Sequence, residues 1–453
     1  MIVAGRLKCC YCSNALNVSR FIHTPSFDER LQVEIRAAKK VQTTKTRRQE
    51  SPEGKSLGGK TLRDSIGFKV RQIESSTRNK SRKLEDPPYE VAIKGNLRFI
   101  KPYYFTYKTY CKERWRGSKL LDVFTREFRD RKKSYYKDCI ENGSVYVNDK
   151  PAHVDTILRD SDLISHRIHR HEPPVMATPV GIVWQDQDIL VIDKPSGIPV
   201  HPTGRYRFNT VTKMLEKQLG YTVHPCNRLD RLTSGLMFLA KTPRGADAIG
   251  DQLKSREVSK EYIARVVGEF PLREVIVERP LKSYDPRIAL NVVCNDHDTG
   301  AKHAKTVFNR VSFDGRTSIV QCRPLTGRQH QIRVHLQFLG HPIANDPIYS
   351  DTTAWGSSLG KGGLNDYTGV GQKLHEVGKT RSASTWIYRD IQGEVLLEET
   401  CPECGTELNS VPDARELTLW LHAYRYKSKS EDSQGTWDYK TAWPGWAEPN
   451  ATY

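Results

Sequence analysis

The run His224 to Thr242, HPCNRLDRLTSGLMFLAKT, sets one carboxylate, Asp230, between two arginines, Arg228 and Arg231, and follows it with a Ser-Gly turn and an apolar strand. A carboxylate held among cations has its pKa lowered by roughly 1 to 3 units, stays ionised, and can serve as a nucleophile. The same spacing suits a structural Asp–Arg ion pair, so charge alone leaves both readings open. The pattern places Asp230 at a strand edge.

Other residues with chemical capacity are weaker candidates. His330 and His335 lie close in sequence, but no Cys or carboxylate stands at a supporting ligand spacing, so structural roles suit them and no metal is assigned. Cys401 and Cys404 form a knuckle-like half-site in CPECG that Cys9 and Cys12 could complete as four thiolates. A reduced, turn-forming pair is the preferred reading. A zinc nucleobase deaminase would need an H-x-E partner that the chain lacks. A glycosidase would need two facing carboxylates, and no second acid accompanies Asp230 in these motifs.

The segment NRLDRLTSGL (Asn227 to Leu236) closely resembles the active-site signature of the RluA-type RNA pseudouridine synthase family. The resemblance continues in order through VIDKPSGIPVHP (Val191 to Pro202), KEYIARVVG (Lys260 to Gly268), LTGRQHQIRVHLQFLGHPIANDPIY (Leu325 to Tyr349) and LHA (Leu421 to Ala423). Several motifs in one order are far more specific than any one of them. The resemblance implies that Asp230 is the catalytic aspartate of a cofactor-free uridine isomerase. It implies that Arg228 enters the RNA when the target base leaves its stack, a role suited to a planar cation. Tyr262 matches the family tyrosine that stacks on the flipped uracil and helps remove its proton. Arg333 matches the arginine that pairs with the catalytic aspartate; Arg328 is its rival. Arg333 is preferred because alternation from Gln331 to His335 sets alternate side chains on one face of a strand. The chain departs from many relatives at Gln329, where Thr or Ser is common, and at Asn345, where Gly is usual, which puts the loop conformation there in doubt. The branch most resembled modifies uridine 32 of the tRNA anticodon loop in mitochondria, with ribosomal RNA the other substrate and a non-catalytic RNA-binding protein the other class. A monomer is expected.

These residues need a scaffold. Short β-branched runs from Gly181 onward predict a mixed antiparallel-sheet α+β catalytic domain over 173–430, with glycine-rich 351–404 as an insertion too irregular for a regular element. HEPPVMATP reads as a linker. Ahead of it, 116–172 reads as two short helices, around Leu120, Leu121, Phe124 and Phe128 and around Tyr135, Tyr136, Cys139 and Ile140, followed by strands with a turn at Asn148 to Lys150. This resembles a ribosomal-S4-like RNA-binding module, with Arg126, Arg129, Arg131, Lys132 and Lys133 as its basic face. Arg231 and Arg328 complete the expected RNA contacts. Residues 28–115 read as a basic, largely disordered arm, and 431–453 as a tail whose tryptophans have no assigned place.

Lys plus Arg outnumber Asp plus Glu by 71 to 53, a formal net charge of +18, which favours a polyanionic partner through counterion release. No apolar run approaches the ~20 residues of a membrane helix. Residues 1–27 contain no acid and carry Arg6, Lys8 and Arg20, as a mitochondrial presequence would. Ten cysteines spread over 453 residues suit a reducing compartment.

Overall fold

In the computed structural model, residues 86–128, 133–379, 396–405, 407–409, 411–429 and 436–448 are described. The expected presequence, Cys9, Cys12, most of the basic arm, and Arg129, Arg131 and Lys132 lie outside them.

The arm ends sooner than expected. Residues from Asp86 onward are folded: β1 (Val91–Lys94) and β2 (Leu97–Ile100) form a hairpin across Gly95, at φ +56, and Asn96. The alternation in YEVAIKGNLRFI and its Gly-Asn turn carried that signal in the sequence. β3 (Tyr103–Tyr110) then pairs over its full length with β6 (Leu163–Arg170), from Tyr103 opposite Arg170 to Tyr110 opposite Leu163. Between these strands come α1 (Leu120–Glu127), α2 (Lys133–Glu141), β4 (Val145–Val147) and β5 (Lys150–Pro151). Asn148 and Asp149 at φ 51° and 62° make the tight hairpin turn between β4 and β5, a left-handed conformation that Asn and Asp tolerate. Trp115, Leu120, Phe124, Tyr136, Ile140 and Val145 make the module's core. The expected linker contributes β7 (Val175–Met176), which pairs with β2.

The remaining strands build a ten-stranded mixed sheet. They are β8 (Gly181–Gln185), β9 (Ile189–Lys194), β10 (His224–Pro225), β11 (Ser234–Ala240), β12 (Val258–Val267), β13 (Val275–Glu278), β16 (Lys305–Phe313), β17 (Thr317–Pro324), β20 (Leu421–Ser428) and β21 (Asp438–Lys440); β14 (Leu281–Asp285) and β15 (Leu290–Val293), then β18 (Leu396–Thr400) and β19 (Glu407–Asn409), form separate hairpins. The sheet runs β13-β16-β17-β12-β20-β11-β9-β8, and every neighbouring pair is antiparallel except β11 with β20. α3 (Val211–Leu219) and α4 (Pro243–Lys254) pack on β9 and β11. Leu236 to Ala240 are all fully buried, which explains the unbroken apolar run; each large side chain there contributes about 1.5–3 kcal/mol.

The parallel crossing of β11 and β20 depends on one glycine. Gly235 sits at φ +111, and a Cβ there would lie 2.2 Å from the Ala423 carbonyl oxygen. The Ser-Gly of the Asp230 segment is therefore where two strand backbones touch.

Two expectations for the C-terminal part are corrected. The glycine-rich stretch contains α6 (Thr352–Trp355) and α7 (Thr368–Lys379), and Trp355, Tyr367 and Leu374 are buried with Tyr349. The tail packs: β21 pairs with β20, Trp437 meets Phe238 edge-on at 5.1 Å, and Trp446 is buried with Ile263 and Ile319.

Candidate active site

Asp230 lies in the loop between β10 and β11, not on a strand edge, and its side chain remains 37% exposed at the floor of a cleft of about 200 Å³. The loop is fixed from three sides. Thr233 N donates to the Asp230 carbonyl at 3.1 Å, Leu419 N donates to the Leu232 carbonyl at 3.1 Å, and Lys194 Nζ donates to the Arg231 carbonyl at 3.1 Å. Lys194 was assigned no chemistry from sequence, yet it is fully buried and also donates to the carbonyls of Pro195 and Ile198. Burial pushes its ammonium down to about 7, opposed by three carbonyl oxygens placed to accept its protons.

Arg333 faces Asp230, but from a helix. Gln331 to Phe338 form α5, so the alternating strand expected there is corrected. The polar letters are misleading because this short helix is buried from Gln331 to Gln337, with most polar groups individually matched. The Gln331 amide donates to Lys305 O and Thr306 Oγ1, and His335 bonds Thr306 Oγ1 at 2.9 Å and Arg279 O at 3.1 Å. Arg333 divides its guanidinium. Nε and Nη2 donate to the two Asp346 oxygens at 2.7 and 2.9 Å, leaving Nη1 3.5 Å from Asp230 Oδ2. Asp346 also accepts from the backbone N–H groups of Ile348 and Tyr349. This fork-on-fork pair aims the third nitrogen at the nucleophile candidate.

His330 and Asp346 were missed as site residues in the sequence reading. His330 sits at φ 56°, with Nε2 3.6 Å from Asp230 Oδ2 and Nδ1 3.1 Å from the Tyr349 hydroxyl. Burial, and then the Arg333 charge, push its imidazole down to about 4, so Arg333 is the cation facing Asp230 among the described residues at neutral pH. The only sequence signal was that both flank motif residues. Asn345, the departure from the usual glycine, accepts from Trp420 N and donates to Thr418 O, tying this loop to the start of β20. Gln329 lines the cleft.

Tyr262 lies on β12 at a bulge against β20, a device that re-aims a side chain. Its hydroxyl is 3.0 Å from that of Tyr426, and burial pushes it up to about 12, with the Asp230 charge acting in the same direction. Arg228 lines the cleft mouth with His201 and Arg205. Arg231, expected as an RNA contact, instead turns inward, where Nη1 is 3.2 Å from the Tyr206 hydroxyl and 3.4 Å from Gly197 O. Arg328 is not brought to Asp230; its Nε donates to His303 O. In the module Arg126 and Lys133 are exposed, and Arg126 pairs with Glu127 at 3.6 Å.

One acid set beside an arginine, with aromatic rings nearby and further arginines at the cleft mouth, defines an enzyme directed at nucleotides. Residues 188–338 match the model of the RNA pseudouridylate synthase family. The chain is 56% identical to a Saccharomyces cerevisiae protein named tRNA pseudouridine(32) synthase, mitochondrial, over 99% of its own length and 96% of that protein's. It is 37% identical to human pseudouridylate synthase RPUSD2 over 79% of this chain and 74% of that one. It is 35% identical to the S. cerevisiae tRNA pseudouridine(31) synthase over 79% of this chain and 97% of that one. The chain belongs to the RluA-type RNA pseudouridine synthase family.

Proposed function

We propose that this RNA pseudouridine synthase isomerises uridine 32 in the anticodon loop of mitochondrial tRNA, with Asp230 as the nucleophile. The observation that carries the substrate and address is the identity over nearly the whole chain to the mitochondrial tRNA pseudouridine(32) synthase. The acid-free basic start of the sequence supports the same address.

In this reading the target uridine leaves its stack at a cost of a few kcal/mol, smaller in a loop than in a duplex, while Arg228 holds the RNA at the cleft mouth. The Asp230 carboxylate attacks the nucleoside and the glycosidic C–N bond breaks. The uracil turns within the cleft and rejoins through carbon, whose proton leaves; nothing is oxidised or reduced, so the nucleoside itself closes the balance. Arg333 keeps Asp230 ionised and aligned. Tyr262 serves as a stacking platform, because a hydroxyl pushed up to about 12 stays protonated and is a poor resident base. A monomer suffices, since the groups facing Asp230 all come from one chain. The S4-like module of helices α1 and α2 with β4 to β6, extended by β3, is proposed to grip the RNA through Arg126, Arg129, Arg131, Lys132 and Lys133.

The test is carbodiimide mapping of pseudouridine in mitochondrial and cytosolic RNA from cells carrying the wild-type protein or Asp230→Ala. Loss of one anticodon-loop signal from mitochondrial tRNA supports the reading. Loss from ribosomal RNA alone overturns the substrate, and unchanged RNA overturns the assignment of Asp230.

A further inference from the structure

Far along the chain from the Asp230 motifs, four side chains converge with the composition of a metal centre. His169 stands near the end of β6 and His171 two residues later. Cys401 and Cys404 come from CPECG, more than two hundred positions away in sequence. One ligand atom from each of the four lies within 4.8 Å of all the others. Cys401 Sγ is 3.7 Å from His169 Nδ1, and Cys404 Sγ is 3.4 Å from His171 Nε2. A tetrahedral zinc with Zn–S near 2.3 Å and Zn–N near 2.0–2.1 Å has S···N edges of about 3.5 Å, so these spacings are those of ligands around one ion. Cys401 is buried, Cys404 half-buried and the His169 side chain 5% exposed, and both cysteines are free thiols.

Two further features suit a metal. Gly405 N donates to the Cys401 carbonyl at 2.8 Å and Gly405 adopts φ +65, which closes the C-x-x-C-G segment into a knuckle that points both sulfurs one way. The other ring nitrogen of His169, Nε2, lies 3.1 Å from the Glu403 carboxylate. An acid behind a ligating histidine fixes its tautomer and presents Nδ1 to the ion.

We propose that His169, His171, Cys401 and Cys404 bind one structural zinc ion. Two thiolates and two imidazoles favour zinc over magnesium or calcium, and four protein ligands leave no open position for catalysis. The ion replaces the pairing of Cys401 and Cys404 with Cys9 and Cys12 considered from the sequence. Its location gives it a role. Alternation along the strand sends His169 and His171 to one side and Arg170 and Glu172 to the other. Arg170 Nη2 donates to the carbonyls of Gly204 and Arg205, both in the loop that lines the cleft, and Glu172 accepts from the backbone N–H groups of Arg207, Phe208 and Asn209. Zinc on the histidines thus stiffens the segment that props one wall of the cleft.

The test is metal analysis of the full chain purified without an affinity column that leaches or chelates metal. One zinc per chain is expected, absent from the double variant C401S/C404S and retained in C404H, which keeps a ligand at that position. Cobalt substituted into the wild-type chain is expected to show the intense visible bands of a tetrahedral thiolate site. Stripping zinc is expected to raise KM for RNA severalfold with a smaller change in kcat, restored by adding zinc. A wild-type chain that neither carries zinc nor takes up zinc or cobalt overturns the proposal, as does zinc retained in C401S/C404S.

Discussion

The cleft around Asp230 and the joint around His171 are both polar constellations, but they are assembled differently. The cleft draws its central acid and the residues that face it from two contiguous motifs, 227–236 and 325–349, each of which brings its own support: Gly235 with the loop, Asp346 with Arg333. The joint gathers single residues from Asp86, Arg98, Tyr103, the His169 to Glu172 run, Arg207 to Lys213 and the Cys401 knuckle. Its acid, Glu172, does no proposed chemistry; it collects three backbone donors and the Tyr103 hydroxyl. Chemistry is thus concentrated in local sequence, while the geometry that holds the cleft wall is distributed.

Substitutions can break this division. The largest effect is expected for Asp230→Asn, which should lower the rate of pseudouridine formation by about 10³-fold or more while leaving the melting temperature nearly unchanged, since the side chain is partly exposed and not part of the core. A comparable loss of stability would show that Asp230 is a structural ion-pair partner. Gly235→Ala should do the reverse. With its Cβ forced onto the Ala423 carbonyl and a left-handed φ, it should cost about 3–5 kcal/mol in denaturant unfolding, or prevent recovery of soluble protein.

Asp346→Asn should fall between them. It leaves the Arg333 guanidinium buried without its carboxylate, at about 3 kcal/mol, and frees Nη1 from its aim at Asp230, so unfolding and kcat should both change. In the joint, Arg170→Met should raise KM for RNA by roughly tenfold or less with kcat largely kept, measured by steady-state kinetics, because the Gly204 and Arg205 carbonyls lose their donor. An equal fall in kcat would erase the distinction between the regions.

What the sequence revealed follows the same division. Asp230, Arg333 and Tyr262 could be named because their motifs are short and continuous, and the structure brings Arg333 to Asp230 even though the reason given for preferring it, a strand face, was wrong. A buried eight-residue helix with matched polar groups has no amphipathic stripe, so periodicity cannot identify it. The folded stretch from Asp86 to Tyr110 was read as arm because its high charge outweighed its alternation. His169 and His171 carried no signal, since their partners are more than two hundred residues away and proximity depends on tertiary folding.

The smallest expected effect concerns pH. Burial holds His335 at about 4, below the 6.5 of an exposed histidine, so between these values the unfolded chain binds the extra proton. The stabilising preference for the neutral form is full above about pH 6.5 and is lost as pH falls toward 4. His335→Gln should flatten the decline of stability in that window by roughly 1 kcal/mol per pH unit, read from unfolding midpoints across pH.

The most direct test is a single-turnover assay of pseudouridine formation with wild-type, Asp230→Asn and Arg170→Met proteins, each on an anticodon stem-loop and on the whole tRNA. The expected result is no product from Asp230→Asn on either RNA, and product from Arg170→Met at a near-normal rate once RNA is saturating. Product from Asp230→Asn at anything near the wild-type rate would contradict the assignment of the cleft.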